Sequence, residues 1–465
     1  MMNEIDKFSY FWPNFKIKNS KQWKLSENKK FHIRELPENP ADLAIDSQWP
    51  AFFPSAMCLV TTSDGSLTAL EKVVGSTVVN RFPFVVALSF CTKELSDRHY
   101  ARKKFTQILE KGEEISIQFI APGKSLNKVM YVIEETEDGQ TEERIKLSGL
   151  STQKAISNST PVFSDAYLVY EGKLVRRSKD LEGEIIFPES YFDMGSHRIY
   201  FIEIDAIQLR KDITEKHNQI AWKSLPSWQP KMRFDLMTDK IIHKDKVGII
   251  KKYIKPFTPF YRFPVEQTAD FLPDYDKNGM SVKHIKSKIE FDNDLSRYPC
   301  FYPSSIGMIT SRTEDGIPNV IPCGSTTVIS RNPLVIGVAI GYADINDRYS
   351  PRASLDIIRK SKKFGCGVPF INDMVLNAIA YSGNVSLKDD KQKLIHSGLQ
   401  IDQDSHVPIL QDLPINFECN VIKEIKLGTH VLFLGEVRKI YSRVDLDKDN
   451  SIKWFPWADI VAQGR

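Results

Sequence analysis

Residues 323–333 read CGSTTVISRNP and set Ser325, Thr326, Thr327 and Ser330 beside the guanidinium of Arg331. Hydroxyls and backbone amides at a strand-to-turn junction suit the polar edge of a flat heterocycle, or a phosphate. The same run also makes an ordinary Thr-rich strand. Residues 347–354, DRYSPRAS, precede a helix. Ser350 and Ser354 can cap that helix, and Arg348 and Arg352 can reach an anion at its N-terminus. Simple capping beside a solvated arginine pair is the plainer alternative. The stretch 381–398, YSGNVSLKDDKQKLIHSG, mixes Gly, Ser and Lys and reads as a loop folding over a ligand. Gly428-Thr429-His430 puts an imidazole at the entrance of a late strand, where it can hydrogen-bond or move a proton.

The cysteines give no such signal. Cys58, Cys91, Cys300, Cys323, Cys366 and Cys419 form no CxxC pair and are spread along the chain. Neither a zinc site nor a disulfide framework fits that spacing, so they read as small buried hydrophobes and no metal is expected. Neither a GxGxxG nor a GxxxxGK[ST] motif is present.

Composition narrows the field. Among 465 residues, 63 Lys+Arg stand against 59 Asp+Glu, a net charge of +4, which gives no general pull toward nucleic acid or anionic membrane. Aromatic content of 11% and a mean hydropathy of −0.30 fit neither a disordered chain nor a membrane protein. No run of about 18 apolar residues occurs, so no spanning helix is expected. The opening MMNEIDKFSYFWPNFKIK lacks the pattern of a secretory signal. A soluble, cytoplasmic protein is the expectation. Single cores stop growing at roughly 250–300 residues, so more than one domain is needed.

The elements that must position these side chains occur twice. FPSAMCLVTTSDG (53–65) returns as YPSSIGMITSRTEDG (302–316), and GSTVVNRFP (75–83) as GSTTVISRNP (324–333). Asp97-Arg98 and Arg102 recur as Asp347-Arg348 and Arg352, and Gly195-Ser196-His197 as Gly428-Thr429-His430. Pro54 and Pro303, Ser76 and Ser325, and Gly149 and Gly398 are each 249 residues apart. Most of these collinear matches keep an offset of 249 or 250. Only the His197/His430 pair shifts, to 233, a net insertion of 16 residues in the first copy. The pattern implies a tandem duplication, with a period too long for a solenoid. The expected division is an arm (1–47), copy one (48–212), a connecting segment (213–296), copy two (297–445) and a tail (446–465). The connecting segment carries Trp222, Trp228, Phe257, Phe260 and Tyr261, too aromatic for a free linker, and is expected to pack across both copies.

Within each copy the pattern is mostly strand. Segments 56–62, 73–79, 84–90 and 115–120 are short and rich in Val, Ile, Thr and Phe, as are 306–311, 319–322, 325–329 and 334–340 in copy two. Late strands are expected at 199–209 and 431–441. One helix per copy is expected, with Phe105, Ile108 and Leu109 forming an apolar stripe and 354–365 as the counterpart. Strands without βαβ alternation predict a mainly β fold built on small antiparallel barrels.

The order Pro-Ser, Asp-Gly turn, GSTTVISRNP, basic turn into a helix, SGNVS, the 408–419 run PILQDLPINFEC and GTHVLFLGEV resembles the flavin reductase-like family, the FMN-binding split barrels. The likeness covers most of residues 297–441 and, more loosely, about 50–210. Members are usually single-domain homodimers with FMN in a groove between subunits, and many reduce flavin with NAD(P)H. The resemblance implies a tandem pair of split β-barrels with flanking helices, joined as a pseudo-dimer within one chain, with further oligomerisation open. It implies that Ser325, Thr326, Thr327 and Ser330 line the isoalloxazine and that Arg331 approaches the ring or phosphate edge. Tyr349, Ser350 and Arg352 would hold the phosphate, Ser382 and Ser386 belong to the flanking loop, and His430 act at the ring end. Copy one keeps Ser76, Thr77, Arg81, Arg98, Arg102 and His197, but has Asn80 for Ser330 and lacks the SGxxS loop. Pro369 stands where many members have Asn. Copy two is therefore the better-preserved half.

The activity implied by the resemblance is that of an FMN-dependent oxidoreductase passing hydride from NAD(P)H to flavin, with a small-molecule substrate or flavin acceptor as partner. Two alternatives remain open: an FMN enzyme dedicated to an organic substrate under the aromatic segment, and a non-catalytic ligand-binding protein that kept the fold.

Overall fold

Short runs of β-branched and aromatic residues, broken by Asp-Gly, Pro and charged turns, become two large antiparallel sheets, with smaller two- and four-stranded ones beside them, in the computed structural model of this chain. It describes residues 23–36, 58–80, 83–93, 101–120, 124–179, 183, 185–187, 189–210, 302, 304–342, 352–369, 373–402 and 405–444, with short strands at 229–230, 260–262, 280–284, 447–448, 451–452 and 462–463. A hairpin of β1 (Trp23–Leu25) and β2 (Phe31–Glu35) leads into β3 (Cys58–Ser63), β4 (Thr68–Val73), β5 (Gly75–Asn80) and β6 (Val85–Cys91). Then come α1 (Lys103–Gly112), β7 (Glu114–Ile120), α2 (Lys124–Glu135), α3 (Arg144–Ser148), β8 (Ala166–Leu174), β9 (Tyr191–Met194) and β10 (His197–Arg210). In the connecting segment lies β11 (Met280–His284). The second half runs β12 (Gly307–Arg312), β13 (Pro318–Cys323), β14 (Thr326–Arg331), β15 (Leu334–Gly341), α4 (Ala353–Ser361) and β16 (Lys363–Val368). It closes with α5 (Asp373–Asn384), α6 (Lys393–His396), β17 (Ile415–Lys426) and β18 (His430–Arg443).

The two sheets share one strand order. The first runs β4-β3-β7-β8-β10-β6-β5, and the second β13-β12-β16-β17-β18-β15-β14. Apolar side chains of both fill one core, in which Phe90, Phe105 and Tyr170 belong to the same cluster as Phe364, Phe417 and Phe433. A second cluster joins Val79 and Phe201 to Ile329, Val335 and Leu432. Tyr302, just ahead of the second half, is 2% exposed and packs against Phe119 and Tyr170 of the first, with ring centroids 5.5 and 5.1 Å away. The fold is thus mainly β, a pair of split barrels packed on each other within one chain.

Each barrel also completes the other. β2 precedes the first barrel in sequence yet pairs antiparallel with β18 of the second; β11 precedes the second barrel and pairs with β10 of the first. Phe31–Glu35 and Met280–His284 are separated by the same 249 residues as the motif pairs. These equivalent strands lie in the arm and the connecting segment, upstream of where the copies are expected to begin. Among the described residues no helix is long and apolar enough to cross a membrane.

The expected strands and the first helix of each half are present, although the helix expected over 354–365 ends at Ser361 and β16 begins at Lys363. The stretch 381–398 differs from expectation: it is the end of α5, a turn and α6, not a loop. Val375, Ala378, Ile379 and Ser382 fall at i, i+3, i+4 and i+7 and are all buried, a helical stripe that the apolar run MVLNAIA disguised as a strand. Leu126, Val129, Met130 and Ile133 do the same on α2.

At the seam between barrels Gly195 has φ +59°, and a Cβ placed there would lie 2.2 Å from the Asn332 carbonyl oxygen. Gly195→Ala should therefore destabilise the whole chain by about 1–3 kcal/mol, read from its chemical-denaturation midpoint.

Candidate functional site

The second barrel brings several of the expected residues to one end of β15. His430 opens β18 and pairs with Gly341, the last residue of β15; the Arg352 amide donates to the Gly341 carbonyl at 3.4 Å. Imidazole and guanidinium residues thus flank the same strand end. Arg352 is the N-cap of α4, and its neighbour Ser354 accepts a 2.7 Å hydrogen bond from Asn319 Nδ2 on β13. The other side-chain atom of that asparagine, Oδ1, is buried without a partner.

The tautomer of His430 follows from its surroundings. Asn80 of the first barrel donates through Nδ2 to the Pro83 carbonyl at 2.8 Å, which leaves Oδ1 to accept. The Thr429 amide and hydroxyl both donate to that oxygen, at 2.7 and 2.9 Å. With its one proton so used, the Thr429 hydroxyl accepts from His430 Nδ1 at 2.7 Å. The neutral ring consequently carries its proton on Nδ1 and its lone pair on Nε2. In the other direction, Ser196 Oγ lies 2.7 Å from His197 Nδ1 and 3.3 Å from Ser330 Oγ. Asn80 and Ser330 are therefore reciprocal contacts across the seam.

The other expected residues divide. Ser325 is half-buried. Thr326 points into the barrel beside Gly307 and Cys366, and its hydroxyl donates to the Cys323 carbonyl at 2.9 Å. Thr327 is fully buried. Arg331 turns toward the first barrel, where its charge acts on Cys91 and Lys72; burial pulls it down to about 10. Ser382 donates back to the Ile379 carbonyl within α5, and Ser386, in the turn after it, accepts from the Lys388 amide. Tyr349 and Ser350 lie outside the described residues, as do Arg81, Asp97, Arg98, Asp347 and Arg348.

Sequence reasoning missed Lys393. It opens α6, is 2% exposed, and among the described residues no carboxylate lies within ion-pair distance of its ammonium. The nearby Asp390 is committed elsewhere: Oδ2 to Tyr381 and His396 at 2.6 and 2.7 Å, Oδ1 to the Gln392 amide at 3.0 Å. Burial first, and then the charge of Arg352, pull Lys393 down to about 7. Both α4 and α6 pack on β13, so Lys393, Arg352 and Asn319 converge there. Asp390 still attracts Lys393 from a distance, and a buried cation that forms no ion pair with a described carboxylate, beside a second cation, can hold an anion. The available signal was its position, since Lys393 stands 249 residues after Arg144 in the same short helix.

In the first barrel the corresponding charges are closed on themselves. Glu71 and Arg144 are both 0% exposed, with Arg144 Nη1 2.6 Å and Arg102 Nη1 3.1 Å from Glu71 Oε2. Arg144 also donates to Thr136 Oγ1 and to the carbonyls of Leu70, Thr136 and Glu137. Lys72 pairs with Glu134.

Comparison with known proteins places the second barrel. Residues 298–455 match the flavin reductase like domain. An uncharacterised protein of Archaeoglobus fulgidus is 30% identical over 137 residues, 29% of this chain and 71% of that one. One from Pyrococcus abyssi is 29% identical over 145 residues, 31% of this chain and 76% of that one. Flavoredoxin of Desulfovibrio vulgaris (Miyazaki F) is a similar solved structure at 18% identity, covering 35% of this chain and 81% of its own, with a TM-score of 0.29.

Removing the Glu71 charge strands a buried arginine. Glu71→Gln should cost about 3–5 kcal/mol of unfolding free energy, measured by denaturant titration.

Proposed function

Since the chain belongs to the flavin reductase-like family, we propose that it is an FMN-binding oxidoreductase whose flavin sits at the second barrel and takes hydride from NAD(P)H. The observation that carries the reading is Lys393, a buried ammonium with no carboxylate within ion-pair distance among the described residues, set beside Arg352 at the start of α4. That pair fits a phosphomonoester of charge about −1.5 to −2.

Arg352 and Lys393 would hold the phosphate, and the β14 hydroxyl residues Ser325, Thr326 and Thr327 would lie along the ring system. His430, with its lone pair on Nε2, can accept a hydrogen bond or a proton at the ring end, held in orientation by Thr429 and Asn80. Bound flavin supplies hydride acceptance and onward electron transfer; the protein supplies position and charge. Tyr349, Ser350, Ser382 and Ser386 stay in the reading as flanking residues.

The first test is whether denaturing the purified protein releases FMN; a colourless protein that takes up none counts against the reading. Arg352→Ala should weaken FMN binding by about 10–100-fold, the value of one charge-assisted contact, and leave riboflavin binding nearly unchanged. The pH dependence has a definite sign. Lys393 favours the anion only when protonated and sits near 7 in the free protein, so FMN affinity should fall as pH rises from about 7, while riboflavin affinity stays level. Fluorescence titrations with the two flavins across that range measure both.

A further inference from the structure

The two barrels differ at one position in a way that sets how many anions the chain binds. In the first sheet Val60 pairs with Glu71 on β4 and with Ile117 on β7; in the second, Ile309 pairs with Ile321 on β13 and with Cys366 on β16. Glu71 and Ile321 therefore hold the same place in the sheet. Arg102 and Arg352 are both N-caps, of α1 and α4, and Arg144 and Lys393 both open the short helix, α3 or α6. Three equivalent positions thus read Arg-Arg-Glu in one barrel and Arg-Lys-Ile in the other.

We infer that Glu71 is a built-in substitute for the anionic group of a ligand, so that the chain keeps a single phosphomonoester site, at the second barrel. The inference rests on the flavin reading above and adds its stoichiometry and its determinant. The Glu71 carboxylate does for Arg102 and Arg144 what a phosphate oxygen would do: it receives both guanidinium groups on one buried oxygen, at 3.1 and 2.6 Å. A tethered carboxylate competes at an effective concentration that a dilute ligand does not reach, and it repels any second anion. Ile321 offers Arg352 and Lys393 no such charge, and Lys393 has no other carboxylate partner among the described residues.

The test uses the full chain with FMN and riboflavin as probes. Wild type should bind one FMN per chain. Ile321→Glu should lower FMN affinity by at least about 100-fold, because a like charge then faces the phosphate, and change riboflavin affinity by less than about 3-fold. The riboflavin arm also reports that the variant is folded. Glu71→Gln provides a gain that misfolding does not mimic: inorganic phosphate should restore much of its lost melting temperature and leave the wild-type melting temperature nearly unmoved once FMN is bound. Two FMN per wild-type chain overturn the inference, as does an Ile321→Glu variant that keeps full FMN affinity or a Glu71→Gln variant indifferent to phosphate. Wild type that binds neither flavin overturns the flavin reading itself and takes the inference with it.

Discussion

The reciprocal contact across the seam is the constraint on which the rest of the structure depends. Asn80 Oδ1 of one barrel receives two hydrogen bonds from Thr429 of the other, and the Ser196 amide donates to the Asn332 carbonyl at 2.8 Å in return. These polar groups are buried, and losing either partner would leave an unsatisfied donor or acceptor at a cost of about 1–3 kcal/mol. The barrels therefore keep one register, and that register decides which nitrogen of His430 holds the proton. The shared apolar core supplies the bulk of the attraction, while the seam hydrogen bonds supply its geometry.

This constraint also explains the division of labour among the β14 residues. Ser330 is engaged at the seam and Arg331 leans toward the other barrel, so in the reading proposed above the anion-holding charge of the second barrel comes from its helices, through Arg352 and Lys393. In the first barrel the same helix positions are filled by arginines that meet a carboxylate on their own sheet. Two halves with the same strand order have thereby acquired opposite electrostatics around one strand position.

Much of this was legible in the amino-acid pattern. The near-constant offset between most of the motifs anticipated two sheets of equal strand order, and the Phe105, Ile108, Leu109 stripe anticipated α1. Helix α5 was not legible, because MVLNAIA is apolar enough to pass for a strand and its register shows only against β13. Lys393 was hidden because a lysine in a polar stretch looks solvated; its burial comes from α6 lying on the sheet. Asn80 looked like a degraded ligand position, and only the other barrel reveals that its amide orients Thr429. Strands β2 and β11 are five residues each with weak alternation, and the sheet strands they join, β18 for β2 and β10 for β11, are too distant in sequence for local patterning to reveal.

The crossed edge strands have a consequence for synthesis on the ribosome. The first barrel cannot acquire its β11 strand until His284 has left the exit tunnel, and β2, paired at first only with β1, cannot join the second sheet until Arg443 emerges. The first barrel is sealed by a strand made after its own last strand, and the second barrel by a strand made before either barrel, so the two close at separate times. A nascent chain halted between the two would expose an open sheet margin, the kind of surface that recruits chaperones or neighbouring chains.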